Sequence, residues 1–131
     1  MTEIKLANIF QDRTFTATNV AKVQNVRGER LTAETYYFKP GQSLAYHRHP
    51  DSEQVFLIFS GEGVFYLDST EQGGNTIEQV GETSIRVKEG SVVLAPAGLW
   101  HRLDNTGDGD MVVAQISSLP TSSIQRNPEV H

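Results

Sequence analysis

The stretch that decides the fold is Gly41-Gln42-Ser43-Leu44-Ala45-Tyr46-His47-Arg48-His49, followed after four intervening residues by Gln54-Val55-Phe56-Leu57-Ile58-Phe59-Ser60-Gly61. Both halves are short, rich in apolar, aromatic and β-branched residues, and closed by glycine, which is the composition of β-strands joined by tight turns. On a strand, side chains two apart point the same way, so His47 and His49 share a face. A His-x-His pair is commonplace by itself, and its meaning depends on the rest of the chain.

Working outward, further strand-like segments are read at 5–10, 15–23, 31–39, 44–49, 54–60, 63–68, 83–87, 91–95, 101–103 and 111–117. Turn residues separate them: Arg27-Gly28, Pro40-Gly41, Gly61-Glu62-Gly63, Glu89-Gly90 and Pro96-Ala97-Gly98 among others. No segment sustains a helical period over three turns, so the expected class is all-β, a sandwich or barrel. The runs 55–59 and 92–94 are apolar at every position, which predicts strands lying between two layers. Residues 68–82 read as a polar excursion with an exposed Gly73-Gly74 turn, and 119–131 as a polar tail. The whole chain, 1–131, reads as one domain.

Composition narrows the chemistry. The 131 residues include no cysteine, which excludes disulfide scaffolds, thiolate metal sites and cysteine nucleophiles. Sixteen acidic residues stand against 11 basic ones and no basic run occurs, so nucleic acid is not an expected partner. The longest apolar run is too short to cross a bilayer and residues 1–10 do not read as a secretory signal; a cytoplasmic protein is the expectation.

A second spaced pattern lies downstream: Gly90, five residues, Pro96, one residue, Gly98, two residues, His101, three residues, Asn105. With Gly41, His47, His49 and Gly61 it resembles, in order and separation, the two signature motifs of the cupin superfamily. The motifs span 41–105, about half the chain. The resemblance implies a double-stranded β-helix, or jelly-roll, barrel in which His47, His49 and His101 converge on one divalent transition metal. Neutral imidazole suits Fe, Mn, Ni, Co, Cu and Zn alike, so the identity of the metal stays open. Asn105 is expected to tether backbone after the last ligand.

The family's fourth ligand is usually a glutamate, with six residues between it and the closing glycine. Here that position holds Gln54, with Glu53 just before it as the alternative; the count back from Gly61 favours Gln54. Strand alternation leaves both open, since 54-56-58 and 53-55-57 are equally acceptable inward faces. An amide in place of a carboxylate leaves the site one unit more positive, which weakens metal binding and favours polarisation of a bound oxygen or an anionic substrate.

Tyr46, Arg48 and Trp100 alternate with the imidazoles and are expected to face away from them. Tyr36, Phe38, Phe56, Ile58 and Leu103 read as core, while Tyr36 and Tyr37 are the candidates should the site need a proton-transferring group. His131, at the end of the tail, is read as uninvolved. The resemblance implies either a metal-dependent enzyme of dioxygenase, isomerase or lyase type acting on a small oxygenated or sugar-acid-like molecule, or a non-catalytic module binding such a ligand. The enzyme is the preferred reading. It further implies a homodimer formed through N-terminal strands, for which 5–23 would supply material.

Overall fold

The computed structural model describes residues 3–69, 82–119 and 125–126. The Gly73-Gly74 turn, most of the polar tail and His131 lie outside the described residues. The described residues form ten strands: β1 Ala21–Arg27, β2 Leu31–Phe38, β3 Ser43–Arg48, β4 Gln54–Ser60, β5 Glu62–Asp68, β6 Glu82–Lys88, β7 Val92–Ala95, β8 Trp100–Asn105, β9 Met111–Ser118 and β10 Gln125–Arg126. They make two five-stranded antiparallel sheets, ordered β1-β2-β9-β4-β7 and β10-β3-β8-β5-β6, packed face to face as a jelly roll. The described residues contain no helix long and apolar enough to cross a membrane.

The core between the sheets follows from strand parity. Tyr36 and Phe38 on β2, Phe56 and Ile58 on β4, Phe65 on β5, Leu103 on β8, and Met111 and Val113 on β9 are buried together. Inward parity on β4 therefore selects Gln54, Phe56 and Ile58, resolving what alternation alone left open. Close sheet approach has local consequences. A Cβ on Gly63 would sit 2.1 Å from the carbonyl oxygen of Asp104, so only glycine lets β5 lie this close to β8.

The sequence expectation fails at the N-terminus. Residues 5–10 form no strand, and of 15–23 only the last three residues join β1, which continues to Arg27. The cause is local competition for backbone donors. Asn8 Oδ1 accepts the N–H groups of Phe10 and Gln11, and the Thr16 hydroxyl donates to the Asn19 carbonyl. Short polar side chains thus divert this segment into turns. Its apolar residues are still used, because Ile9 and Phe15 pack over Tyr37, Val112 and Ala21 on the outer face of the first sheet.

The second correction concerns β4 and β7. Their outward residues are not sandwiched between layers: Val92 is 61% exposed and Leu94 50%. Across the sheet, Val55 opposes Leu94 and Ile116, and Leu57 opposes Val92 and Ala114, giving a continuous uncharged outer face. Runs apolar on both faces arose because one face enters the core while the other lies on this outer patch.

Candidate metal centre

Antiparallel pairing of β3 with β8 sets His47 directly opposite His101. Their ring centroids are 4.2 Å apart, and those of His47 and His49 are 5.3 Å apart. All three imidazoles are buried, and one nitrogen from each lies within 4.8 Å of the others. The loop carrying the second motif is fastened to the first, because the Gly98 N–H donates to the His49 carbonyl at 3.0 Å. Gly98 has φ +80°, a conformation side-chain-bearing residues rarely adopt. Asn105 acts as a backbone tether: Nδ2 donates to the carbonyls of Phe38 and Gly109, and Oδ1 accepts from Gly107.

Hydrogen bonding orients the rings. His47 Nδ1–H donates to the Ala45 carbonyl at 2.8 Å, and His101 Nδ1–H donates to that of Leu99 at 3.3 Å. A carbonyl only accepts, so both rings carry the proton on Nδ1 and present a lone pair at Nε2. Burial, reinforced by the neighbouring His47, holds the His101 pKa well below its ordinary value, keeping the imidazole neutral. Phe56 and Phe65 pack beside it, at 5.6 and 6.3 Å between centroids.

Gln54 is 2% exposed and lines the same cavity as His47 and His49, whereas Glu53 is exposed. The Gln54 Nε2 donates to Ser117 Oγ at 3.0 Å, which leaves its Oε1 pointing elsewhere without a hydrogen-bond partner among the described residues. His101 Nε2 is likewise buried and unsatisfied. Unpaired buried acceptors cost about 1–3 kcal/mol each, and two of them beside a histidine cluster fit a cation that would accept their lone pairs. The donor set, nitrogen and amide oxygen without sulfur, suits a borderline divalent metal.

Of the tyrosine candidates, Tyr36 lines the cavity. Tyr37 points to the opposite face, where its hydroxyl donates to the Ile9 carbonyl and its ring meets Phe15. Tyr46 and Trp100 are buried on the outer side of the second sheet; Arg48 lies 4.7 Å over the Trp100 ring, and the Tyr46 hydroxyl donates to Glu82.

Sequence reasoning missed the rest of the cavity, a space of about 420 Å³ lined also by Lys22, Arg27, Glu34, Gln115 and Ser117. These residues come from β1, β2 and β9. The available signal was the pair Gln115 and Ser117, polar residues of one parity in a strand whose other residues from 111 to 116 are apolar.

Comparison with known proteins bears on the family and the fold. The family model for the cupin domain matches residues 34–117. The "Oxalate-binding protein" of Thermotoga maritima is 28% identical over 72 residues, covering 55% of this chain and 49% of the relative. "Auxin-binding protein 1" of Arabidopsis thaliana is 33% identical over 89 residues, covering 66% of this chain and 41% of the relative. The chain thus spans less than half the length of either curated relative. Among solved structures, an uncharacterized conserved protein with a double-stranded β-helix domain from Klebsiella pneumoniae superposes with a TM-score of 0.76 at 16% identity, covering 93% of this chain and 96% of that one.

Proposed function

The chain belongs to the cupin domain family, and on that premise we propose that it is a metal-dependent enzyme, of dioxygenase, isomerase or lyase type, acting on a small oxygenated or sugar-acid-like molecule. One observation carries the reading: three buried imidazoles with donor atoms within 4.8 Å, beside Gln54 with its unpartnered amide oxygen, where His47, His49 and Gln54 line a cavity. His47, His49 and His101 would hold the metal, with Gln54 as the fourth ligand in preference to Glu53. When bound, such a metal polarises substrate oxygens as a Lewis acid or, if redox-active, supports oxygen chemistry.

The chain's own residues then do the remaining work. The Ala45 and Leu99 carbonyls fix the His47 and His101 tautomers. Phe56 and Phe65 exclude water from the inner side of His101. Tyr36, which lines the cavity, would hold or move a proton at its hydroxyl; Tyr37 faces away and is set aside.

A second reading, a non-catalytic binding module, is favoured by the Thermotoga relative, which is named an oxalate-binding protein. Metal analysis of protein purified without added metal, followed by turnover and oxygen-uptake assays over hydroxy acids and sugar acids, separates the two. Stoichiometric metal with turnover supports the enzyme. Metal-free protein that binds a ligand without turning it over overturns it. We also propose a homodimer. Its support is the uncharged outer face at Val55, Leu57, Val92, Leu94 and Ile116, in place of the strand exchange expected from 5–23. Light scattering should report a dimer that Leu94→Lys converts to monomer.

A further inference from the structure

A line of polar side chains crosses the inner surface of the first sheet from the candidate metal centre to the cavity rim. Register creates it: Ser117 on β9 lies opposite Gln54 on β4, and Gln115 lies opposite Glu34 on β2. Ser117 Oγ accepts N–H groups from both Gln54 (3.0 Å) and Gln115 (3.1 Å), so both its lone pairs are used and its own O–H remains to donate. Gln115 Nε2 also donates to the Glu34 carboxylate at 3.4 Å. Because Glu34 can only accept, the amide orientation of Gln115 is fixed with Nε2 towards it. Oε1 of Gln115 is consequently left buried with no hydrogen-bond partner among the described residues, in a residue that is 2% exposed and lines the cavity.

A buried acceptor at a cavity wall is satisfied by a ligand that donates. We propose that Gln115 is a specificity-determining residue that accepts a hydroxyl of the ligand, with Ser117 donating to a second ligand oxygen, so that the cavity selects polyhydroxylated acids over acceptor-only dianions such as oxalate. The proposal rests on the metal-site reading above and extends it to substrate class. Charge and size point the same way. Glu34 already pairs with Lys22 at 3.3 Å, and Arg27 adds a cation at the rim, enough for one carboxylate. An oxalate dianion would face Gln115 Oε1 and the Glu34 carboxylate with no proton to offer either. It would also leave most of the roughly 420 Å³ cavity empty, a volume suited to larger ligands.

The test is calorimetric titration of metal-loaded and metal-free protein with D-gluconate, hexanoate and oxalate, with metal content determined by mass spectrometry. Gluconate should bind at least about tenfold more tightly than hexanoate or oxalate. Gln115→Met should remove about tenfold of the gluconate affinity while metal content and hexanoate binding stay at the wild-type level. Oxalate or hexanoate binding as tightly as gluconate to the wild-type protein overturns the proposal, and that comparison needs no variant. So does a folded Gln115→Met protein that binds gluconate like the wild type. Wild-type protein that takes up no metal, yet keeps a gluconate preference dependent on Gln115, supports the hydroxyl contact and sinks the metal reading instead.

Discussion

His101→Leu should make the metal-free protein more stable while depriving it of metal. The residue is 2% exposed, its Nε2 has no partner among the described residues, and its ring lies beside Phe56 and Phe65. Leucine, of similar volume, removes an unsatisfied polar atom worth about 1–3 kcal/mol of destabilisation. Against that stands the loss of the Nδ1–H bond to the Leu99 carbonyl, which at 3.3 Å is long and contributes about 0.5–1 kcal/mol. The balance is a gain of about 1 kcal/mol, or roughly 3–5 °C in Tm for a chain of this size. Metal reverses the order. At a hundred times its Kd a metal stabilises the wild type by about 2.7 kcal/mol, whereas a variant binding about a hundredfold more weakly gains only about 0.4 kcal/mol at that concentration. Thermal melts in chelator and in a zinc or manganese series measure both quantities. The reasoning is refuted if His101→Leu in chelator is less stable than wild type by more than about 1 kcal/mol. It is equally refuted if metal raises both melting temperatures alike.

Three other outcomes follow from the same geometry. Gln54→Ala should lower metal occupancy at limiting metal while Glu53→Ala leaves it at the wild-type level; the opposite pattern in a metal titration reassigns the fourth ligand. Gly63→Ala should destabilise by about 2–3 kcal/mol in urea unfolding, since its Cβ would lie 2.1 Å from the Asp104 carbonyl oxygen, and a wild-type midpoint would show that β5 and β8 can part at no cost. In metal-free protein the lowered His101 pKa, caused first by burial, makes the unfolded chain bind more protons below about pH 6.5. Stability from this group is therefore complete above pH 6.5 and lost as pH falls towards the folded pKa; melts that stay flat between pH 7 and 5 in wild type, or fall equally in His101→Leu, contradict it.

What was legible in the chain depended on whether one strand carried the information. His47 and His49 share a face because side chains on a strand alternate, and the spacing Gly90-Pro96-Gly98-His101 encodes a turn fastened to the first motif through the Gly98 N–H. The shared face and the turn spacing are local, so they appear in a single sequence, whereas the bond that fastens the turn to the first motif joins residues 49 apart. The parity of β4 was not local: choosing Gln54 over Glu53 as the inward residue required knowing that Phe56 meets Phe65 and His101 across the barrel. The N-terminal turns were misread for a related reason. Apolar residues at 9 and 15 resemble strand material, but Asn8 and Thr16 capture backbone groups that a ladder would need. Least legible was the wall of the cavity. Gln115 gains its meaning from Glu34, 81 residues away, and from an irregularity-free β2–β9 register that no motif states. The local motifs thus describe a place for a metal, while the residues that would choose among ligands are distributed over strands whose pairing must be known first. Two cupin chains can share the histidine pattern and still differ in substrate, and in this one the difference is to be sought on β9.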